Sequence, residues 1–455
     1  MTALKVSWLI GLMTMAVGAG SIATAEERKP ENDMAQLMAR EDCGREQCFA
    51  VTRGLFDFFD RRLNRLQGNG RACADCHMVS DRFQLSPANA EARYRALQQR
   101  RLTDPRADDP LFRPVDANDY RVNGDQATDY TNLREHALIR VTLPLPGNVQ
   151  LIDPATGQPS NERSVDVWRA VPTVINVKLT GPDALNPWAR DPNPSGGYQL
   201  DARFGSLQEQ ALGALQAHAE IHVAPPQRFL DDLSAFQSVL FSSRGVRELS
   251  EAIDTGISPL PDPDPPLNEL EQAGKVVFTR ACAQCHGGPG QSTPQPPAVR
   301  YHDISTSCPR PVDPGPAPRF VFKPCPTNLT ANIRTYVFTQ PDGHTTITRT
   351  SSDPGRALLT GFVLPPPAPP ATDDWNKLDV PGLRGISRTA PYFHNNSADT
   401  LEEVVAHYTA FFTRVLLNVP PGKPLPPAIS TDGKNPDRPP TADEIPSLLA
   451  YLRQL

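Results

Sequence analysis

"CADCH" spans residues 73–77 and "CAQCH" spans 282–286, so the pattern C-x-x-C-H occurs twice in a chain of 455 residues. Two cysteines separated by two residues and followed at once by histidine form the attachment pattern of a c-type haem. The thiols add to the two vinyl groups, and the adjacent imidazole is placed to bind the iron. A redox dithiol needs no trailing histidine, and a zinc site would join two C-x-x-C units that here lie in separate halves of the chain. The motifs predict two covalently bound haem c groups, one on Cys73, Cys76 and His77 and one on Cys282, Cys285 and His286. His77 and His286 are the expected iron ligands.

The N-terminus suits that chemistry. Lys5 precedes an apolar run from Val6 to about Val17, and "ATA" at 23–25 leads into "EER". This reads as a secretory signal peptide, residues 1–25, cleaved after Ala25, and it predicts export to an oxidising space such as the bacterial periplasm. A membrane anchor is the weaker reading, because the apolar run is short and ends in small residues. No later stretch reads as a membrane span. The net charge of −6, with no basic run, argues against nucleic acid or an anionic membrane surface as partner. Of the eight cysteines, the four outside the motifs fall in two neighbouring pairs, Cys43 with Cys48 and Cys308 with Cys325. Both pairs are expected to be disulfides.

Fifty prolines require much ordered loop. "GISPLPDPDPPLNEL", residues 256–270, reads as a linker, and Asn268 with Glu271 then caps a helix that runs into the second motif. An amphipathic segment, "AVTRGLFDFFDRRLNRLQGNG", runs into the first and breaks at Gly68 and Gly70. Thr441 with Glu444 caps a last helix. No alternating run argues for a sizeable sheet. The expected fold is mainly α: two cytochrome c-like haem domains with long proline-rich loops, residues 26–255 and 256–455. Residues 101–165, "DPLFRPVDANDY" included, have no chemical reading from sequence.

The far side of each iron decides between an electron carrier and an enzyme. No methionine follows Met78, so the second haem has no methionine ligand from its own domain. The histidines outside the motifs are His136, His218, His222, His302, His344, His394 and His407, and for each an ordinary surface or core role is the default.

At this point the chain resembles a family. "KLDVPGLRGISRTAPYFHNNSADTLEEVVAHY", 377–408, is similar to the C-terminal signature of bacterial di-haem cytochrome c peroxidases and of the related MauG type, which oxidises a partner protein. "RFGSLQEQALGALQAHAEI", 203–221, resembles the segment over the peroxidatic haem, and "VWRAVPTVINV", 167–177, resembles another family stretch. The resemblance implies that peroxide reacts at the N-terminal haem, with Gln210 and Glu220 lining its distal pocket as orienting amide and proton carrier. The two can meet over one iron only if the chain bends between them. The family has proline near that glutamate, whereas His218 stands here and is itself a candidate acid, base or ligand.

The resemblance also implies an electron-transferring C-terminal haem whose sixth ligand aligns with Tyr408. A tyrosine packed in the core without a metal bond, or His407 as ligand, are the alternatives. Residues 78–135 contain no histidine, so the loop ligand that resting family members add to the N-terminal haem has no counterpart there. A calcium ion between the domains would use carbonyls at Thr389 and Pro391, but Ala170 stands where the family has asparagine. Leu200 replaces the family's inter-haem tryptophan, and Trp168, Trp188 and Trp375 do not fit that position.

These readings predict an exported oxidoreductase that reduces hydrogen peroxide with electrons from a small c-type cytochrome or cupredoxin. MauG-type oxidation of a protein substrate is the second reading, and a non-catalytic di-haem electron carrier the third.

Overall fold

The computed structural model describes residues 45–61, 66–119, 121–122, 125–126, 129–181, 197–292, 300–309, 325, 327–365, 373–419, 422–425 and 439–455. The expected signal segment, Cys43 and Trp188 lie outside them. The described residues are 40% helix and 13% strand, so the fold is helix-rich.

Helices of eight residues or more are α1 Arg45–Phe59, α2 Pro87–Arg101, α3 Leu207–Ala217, α4 Gln227–Ser238, α5 Arg244–Asp254, α6 Glu269–Ala281, α7 Leu401–Leu417 and α8 Ile445–Leu452. Their starts are set by side chains that accept the unpaired first-turn N–H groups. Ser86, Ser206, Ser243, Asn268 and Thr400 each accept from the backbone three residues on. Glu271 returns a carboxylate to the Asn268 N–H, which completes the expected capping box. Glu444 does the same for the Thr441 N–H at 2.8 Å, one turn before α8.

Two helix crossings organise the molecule, and they are built alike. In the first half α1 packs on α4. A Cβ on Gly54 would lie 1.8 Å from the Asp232 carbonyl oxygen, so only glycine permits the approach. One turn on, Phe58 meets Phe236 edge to face, with ring centroids 5.2 Å apart. In the second half α6 packs on α8. A Cβ on Gly274 would lie 1.9 Å from the Ser447 carbonyl oxygen, and Phe278 meets Tyr451 edge to face at 5.3 Å.

Strand structure exceeds the expectation from sequence. Strands β1 Leu138–Pro144 and β3 Ser164–Ala170 pair antiparallel, with Leu138 opposite Ala170 and Pro144 opposite Ser164. Strand β2, Val149–Ile152, pairs with β4, Arg334–Thr339, which pairs in turn with β5, Thr346–Ser351. β4 alternates buried and half-buried residues along its whole length, the period-2 pattern of a strand. That alternation is legible in "RTYVFT" and was the missing strand signal. The β2–β4–β5 sheet joins residues from both sides of the expected boundary at 255. Leu143, Leu145, Val149 and Leu151 share one apolar cluster with Tyr336, Phe338 and Ile347.

A buried ion network makes a second tie between the halves. The Arg169 guanidinium, at the end of β3, holds Asp353 at 2.7 and 3.0 Å and Asp201 at 2.7 Å. Another expectation changes at α1. The helix ends at Phe59, short of Gly68 and Gly70, and residues 62–65 lie outside the described ones. Gly68 instead packs against the Ala219 carbonyl, where a Cβ would come within 2.7 Å.

Helix propensity alone predicts that Gly54→Ala or Gly274→Ala gains about 1 kcal/mol. The crossings predict the reverse, a loss of about 1–3 kcal/mol as the helices are forced apart. Thermal unfolding of the haem-loaded protein decides the sign, and an alanine variant as stable as the parent would refute the close crossing.

Candidate haem sites and active-site cavity

Both C-x-x-C-H segments fold in the same way. The N–H groups of Cys76 and His77 bond the Cys73 carbonyl at 3.2 and 2.9 Å, and those of Cys285 and His286 bond the Cys282 carbonyl at 3.1 and 2.9 Å. In the first segment the buried Asp75 accepts the Ala72 N–H and pairs with Arg61 and Arg93, which pins the turn.

Each motif histidine is then held by two backbone carbonyls. His77 Nδ1 lies 2.8 Å from the Phe83 oxygen, and the Pro172 carbonyl also bonds this ring. His286 Nδ1 lies 3.3 Å from the Gln291 oxygen and 3.2 Å from the Pro381 oxygen. Pro381 follows its histidine by 95 residues, the same interval that separates Pro172 from His77, and each proline follows a valine. A carbonyl only accepts, so Nδ1 carries the proton and Nε2 keeps its lone pair, the form an iron ligand requires. Enclosure lowers both imidazoles to about 4 despite these bonds, so both are neutral at physiological pH. The equal spacing of the two Val-Pro pairs is the mark of this arrangement in the sequence.

The ring of Phe58 stands 6.1 Å from that of His77, so the α1–α4 crossing reaches the first motif histidine directly. In the second half the route has one more step. Tyr451 bonds Asp264 at 2.8 Å and accepts from the Gln291 amide at 3.4 Å, and the Gln291 carbonyl meets His286.

Cys73, Cys76 and His77 line one cavity of about 320 Å³. Enclosure raises the thiols, Cys73 to about 12 and Cys76 to about 11, so they are not thiolates at neutral pH and do not suit dithiol exchange. Much of the remaining wall is apolar, with Phe58, Val174, Leu207 and Leu215 among its residues. Two thiols, one imidazole with an open Nε2 and an apolar wall fit a haem c.

Polar side chains also border this cavity, among them Gln210 from α3, His218 just after α3, and Arg71 beside the motif. Asp379 also borders it. Burial lifts that carboxyl to about 6 although Arg300 holds it at 2.7 and 3.1 Å. Leu200 lines the cavity as well, and no tryptophan does among the described residues.

Glu220 is placed elsewhere. α3 ends at Ala217, and the chain turns at Glu220, whose φ is +49°. The bend needed to bring Gln210 and Glu220 together is present, but it points the carboxylate outward. Glu220 is exposed and accepts from the Asn69 amide at 2.8 Å. The 66–69 segment holds this bend, since the Asn69 N–H bonds the Ala219 carbonyl and the His222 N–H bonds the Leu66 carbonyl.

Tyr408 lies on α7 beside the second cysteine pair. Burial raises its phenol well above the ordinary range, and the thiols of Cys285 and Cys282 add to the rise. Phe412 stacks on it at 5.9 Å. His407 Nε2 bonds the Ile304 carbonyl at 2.8 Å. His302 was assigned no role from sequence, yet its Nε2 stands 3.8 Å from Cys285 Sγ. Near the expected calcium position, Gln84 donates to the Ala390 carbonyl at 2.8 Å and the Ala170 N–H bonds the His394 carbonyl. Among the described residues no three His, Cys, Asp or Glu side chains gather as a metal cluster. Cys308 and Cys325 form the expected disulfide, whereas the Cys43–Cys48 pairing involves a residue outside the described ones.

The chain is similar to di-haem peroxidases. A MauG-like protein associated with microbial copper homeostasis aligns at 18% identity over 92% of this chain and 90% of its own, with a TM-score of 0.39. The di-haem peroxidase BthA of Burkholderia thailandensis aligns at 18% identity over 90% and 86%, with a TM-score of 0.37. The hydrazine synthase of Kuenenia stuttgartiensis aligns at 15% identity over 96% and 97%, with a TM-score of 0.35. No protein-family model matches the chain, and no curated protein matches it in sequence.

Two sites with the same proximal geometry predict two thioether-bound haems. Intact mass of the exported protein should show two haem additions, and Cys282→Ala with Cys285→Ala should remove one of them while leaving the other. A mass carrying a single haem in the parent protein would refute the paired assignment.

Proposed function

We propose that this chain is an exported di-haem c-type oxidoreductase that reduces hydrogen peroxide at its N-terminal site. The reading divides it into two cytochrome c-like units, 26–255 and 256–455, with the β2–β4–β5 sheet shared between them. Electrons enter from a small redox protein, a c-type cytochrome or a cupredoxin, through the C-terminal site. The Cys308–Cys325 disulfide supports export to an oxidising compartment such as the periplasm. No described helix is long and apolar enough to cross a membrane.

One observation carries the assignment of the reaction. The cavity that holds Cys73, Cys76 and His77 also gathers Gln210, His218 and Arg71. Polar groups placed beside a candidate haem site are what a small reactive ligand needs to be oriented. Bound haem would supply the iron that takes up peroxide and the electrons that reduce it. Gln210 can orient the ligand through its amide, and the apolar wall excludes bulk water. Glu220 lies outside this set and is given no part in the reaction.

The C-terminal site has the same two-carbonyl hold on His286 but an aromatic distal side, with Tyr408 stacked on Phe412. That difference suits a closed site that passes electrons. Tyr408 as sixth ligand would also favour the second reading, MauG-type oxidation of a partner protein.

Spin state separates these readings from an electron carrier. The proposed enzyme contains one high-spin haem that reacts with peroxide and one low-spin haem that does not. Two low-spin, peroxide-inert haems would overturn it in favour of the carrier. Tyr408→Phe should alter the low-spin signal and leave the high-spin one unchanged; an unaltered low-spin signal would return Tyr408 to a packing role.

A further inference from the structure

His218 closes α3, and three groups fix its position. Its carbonyl accepts from the Asn69 amide at 3.0 Å and from Arg71 at 3.1 Å. Its ring Nδ1 lies 3.0 Å from Asp116 Oδ1. Asp116 belongs to "DPLFRPVDANDY", the segment without a reading from sequence, and sits in the short helix Pro114–Ala117. Its other carboxylate oxygen pairs with the Arg71 guanidinium, and both side chains are almost fully buried, Arg71 3% and Asp116 2% exposed. Arg71 further donates to the Pro110 and Leu111 carbonyls at 2.9 and 3.1 Å, so the carboxylate cannot swing away.

A carboxylate accepts only, so Nδ1 of the neutral ring carries the proton and Nε2 holds a lone pair. Nε2 has no protein partner among the described residues, and the ring borders the cavity that contains His77. A base oriented by a buried carboxylate and aimed into a reactive cavity is the arrangement that proton-transfer catalysis requires.

We propose that His218 is the proton-transfer residue of the N-terminal cavity and that Asp116 is the residue that positions it, in place of the carboxylate expected at Glu220. The proposal rests on the peroxidase reading above. His218 Nε2 accepts the proton from one peroxide oxygen and returns it to the other. The O–O bond breaks with its electron pair on that second oxygen, which leaves as water. The remaining oxygen leaves as a second water after two electrons from the redox-protein donor, passed through the bound haems, and two solvent protons are added. The sum is one peroxide, two protons and two electrons giving two waters. Arg71 holds a fixed positive charge at the cavity wall while the proton is in transit.

The test uses the full di-haem protein and two probes, hydrogen peroxide and cyanide. Hydrogen cyanide must lose its proton to bind as the anion, so its association rate reads the same base without any turnover. His218→Gln is expected to slow the peroxide reaction by about 10²–10⁴-fold. Cyanide association should slow as well, with two haems and the C-terminal haem spectrum retained. Asp116→Asn should slow both rates by a smaller factor, because the ring stays but its tautomer and orientation are no longer held.

Equal rates in the parent and His218→Gln would overturn the proposal, as would a large loss in Glu220→Gln without one in His218→Gln. Conversion of a low-spin N-terminal signal to a high-spin one in His218→Gln would also overturn it, by making His218 an iron ligand. A parent that ignores peroxide but binds cyanide faster than His218→Gln would refute the peroxidase reading while keeping His218 as the base of this cavity. If His218→Gln loads fewer than two haems, His218→Asn is judged on the same two rates.

Discussion

The two carbonyls that hold each motif imidazole are the constraint on which the rest of the molecule depends. One comes from the loop just after the motif, Phe83 or Gln291, and the other from 95 residues downstream, Pro172 or Pro381. A single hydrogen bond would fix the tautomer. Two, from parts of the chain so far apart in sequence, also fix where the intervening segment must return. In the first half that segment runs through α2 and the β1–β3 pair before it reaches Val171 and Pro172. The segment between each motif and its distant proline is thus anchored at the motif imidazole.

Similar holds on the two motif imidazoles make the other groups around each site the meaningful variable. At His77 the chain presents an amide, an imidazole and a guanidinium; beside Cys282 and Cys285 it presents a phenol stacked on an aromatic ring. The walls between them are close. Pro381, whose carbonyl bonds His286, also lines the cavity of His77. The backbone at Pro381 therefore touches both sites, and Leu200 occupies the same cavity wall without an aromatic ring.

Local signals in the sequence were strong where the chemistry is local. The C-x-x-C-H pairs and the capping residues Asn268 and Glu271 are read within a few residues. The helix-to-motif connection at Asn268 is legible for that reason. The alternation at Arg334–Thr339 was equally local and was obscured by the prolines around it. The remainder depends on contacts that no local pattern encodes. Glu220 and His218 are two residues apart, and which of them faces the cavity is decided by Gly68 and Asn69 gripping Ala219, about 150 residues away. Asp116 carries no mark in its own segment; its role exists only because Arg71 and His218 converge on it. Gly54 and Gly274 would read as weak points in a helix until the carbonyls they touch are known.

The sheet shared between the halves bears on how the protein must be made. β2 lies at residues 149–152, but the strand it pairs with, residues 334–339, is synthesised only much later. Until then its edge is open, and Leu143, Leu145, Val149 and Leu151 lack the Tyr336, Phe338 and Ile347 side chains that cover them. The half that contains the first C-x-x-C-H segment therefore cannot close its core until the second has been made. Gene fragments divided at the linker would each inherit an unfinished core, so the two halves form a single unit of biogenesis even though each has its own C-x-x-C-H segment.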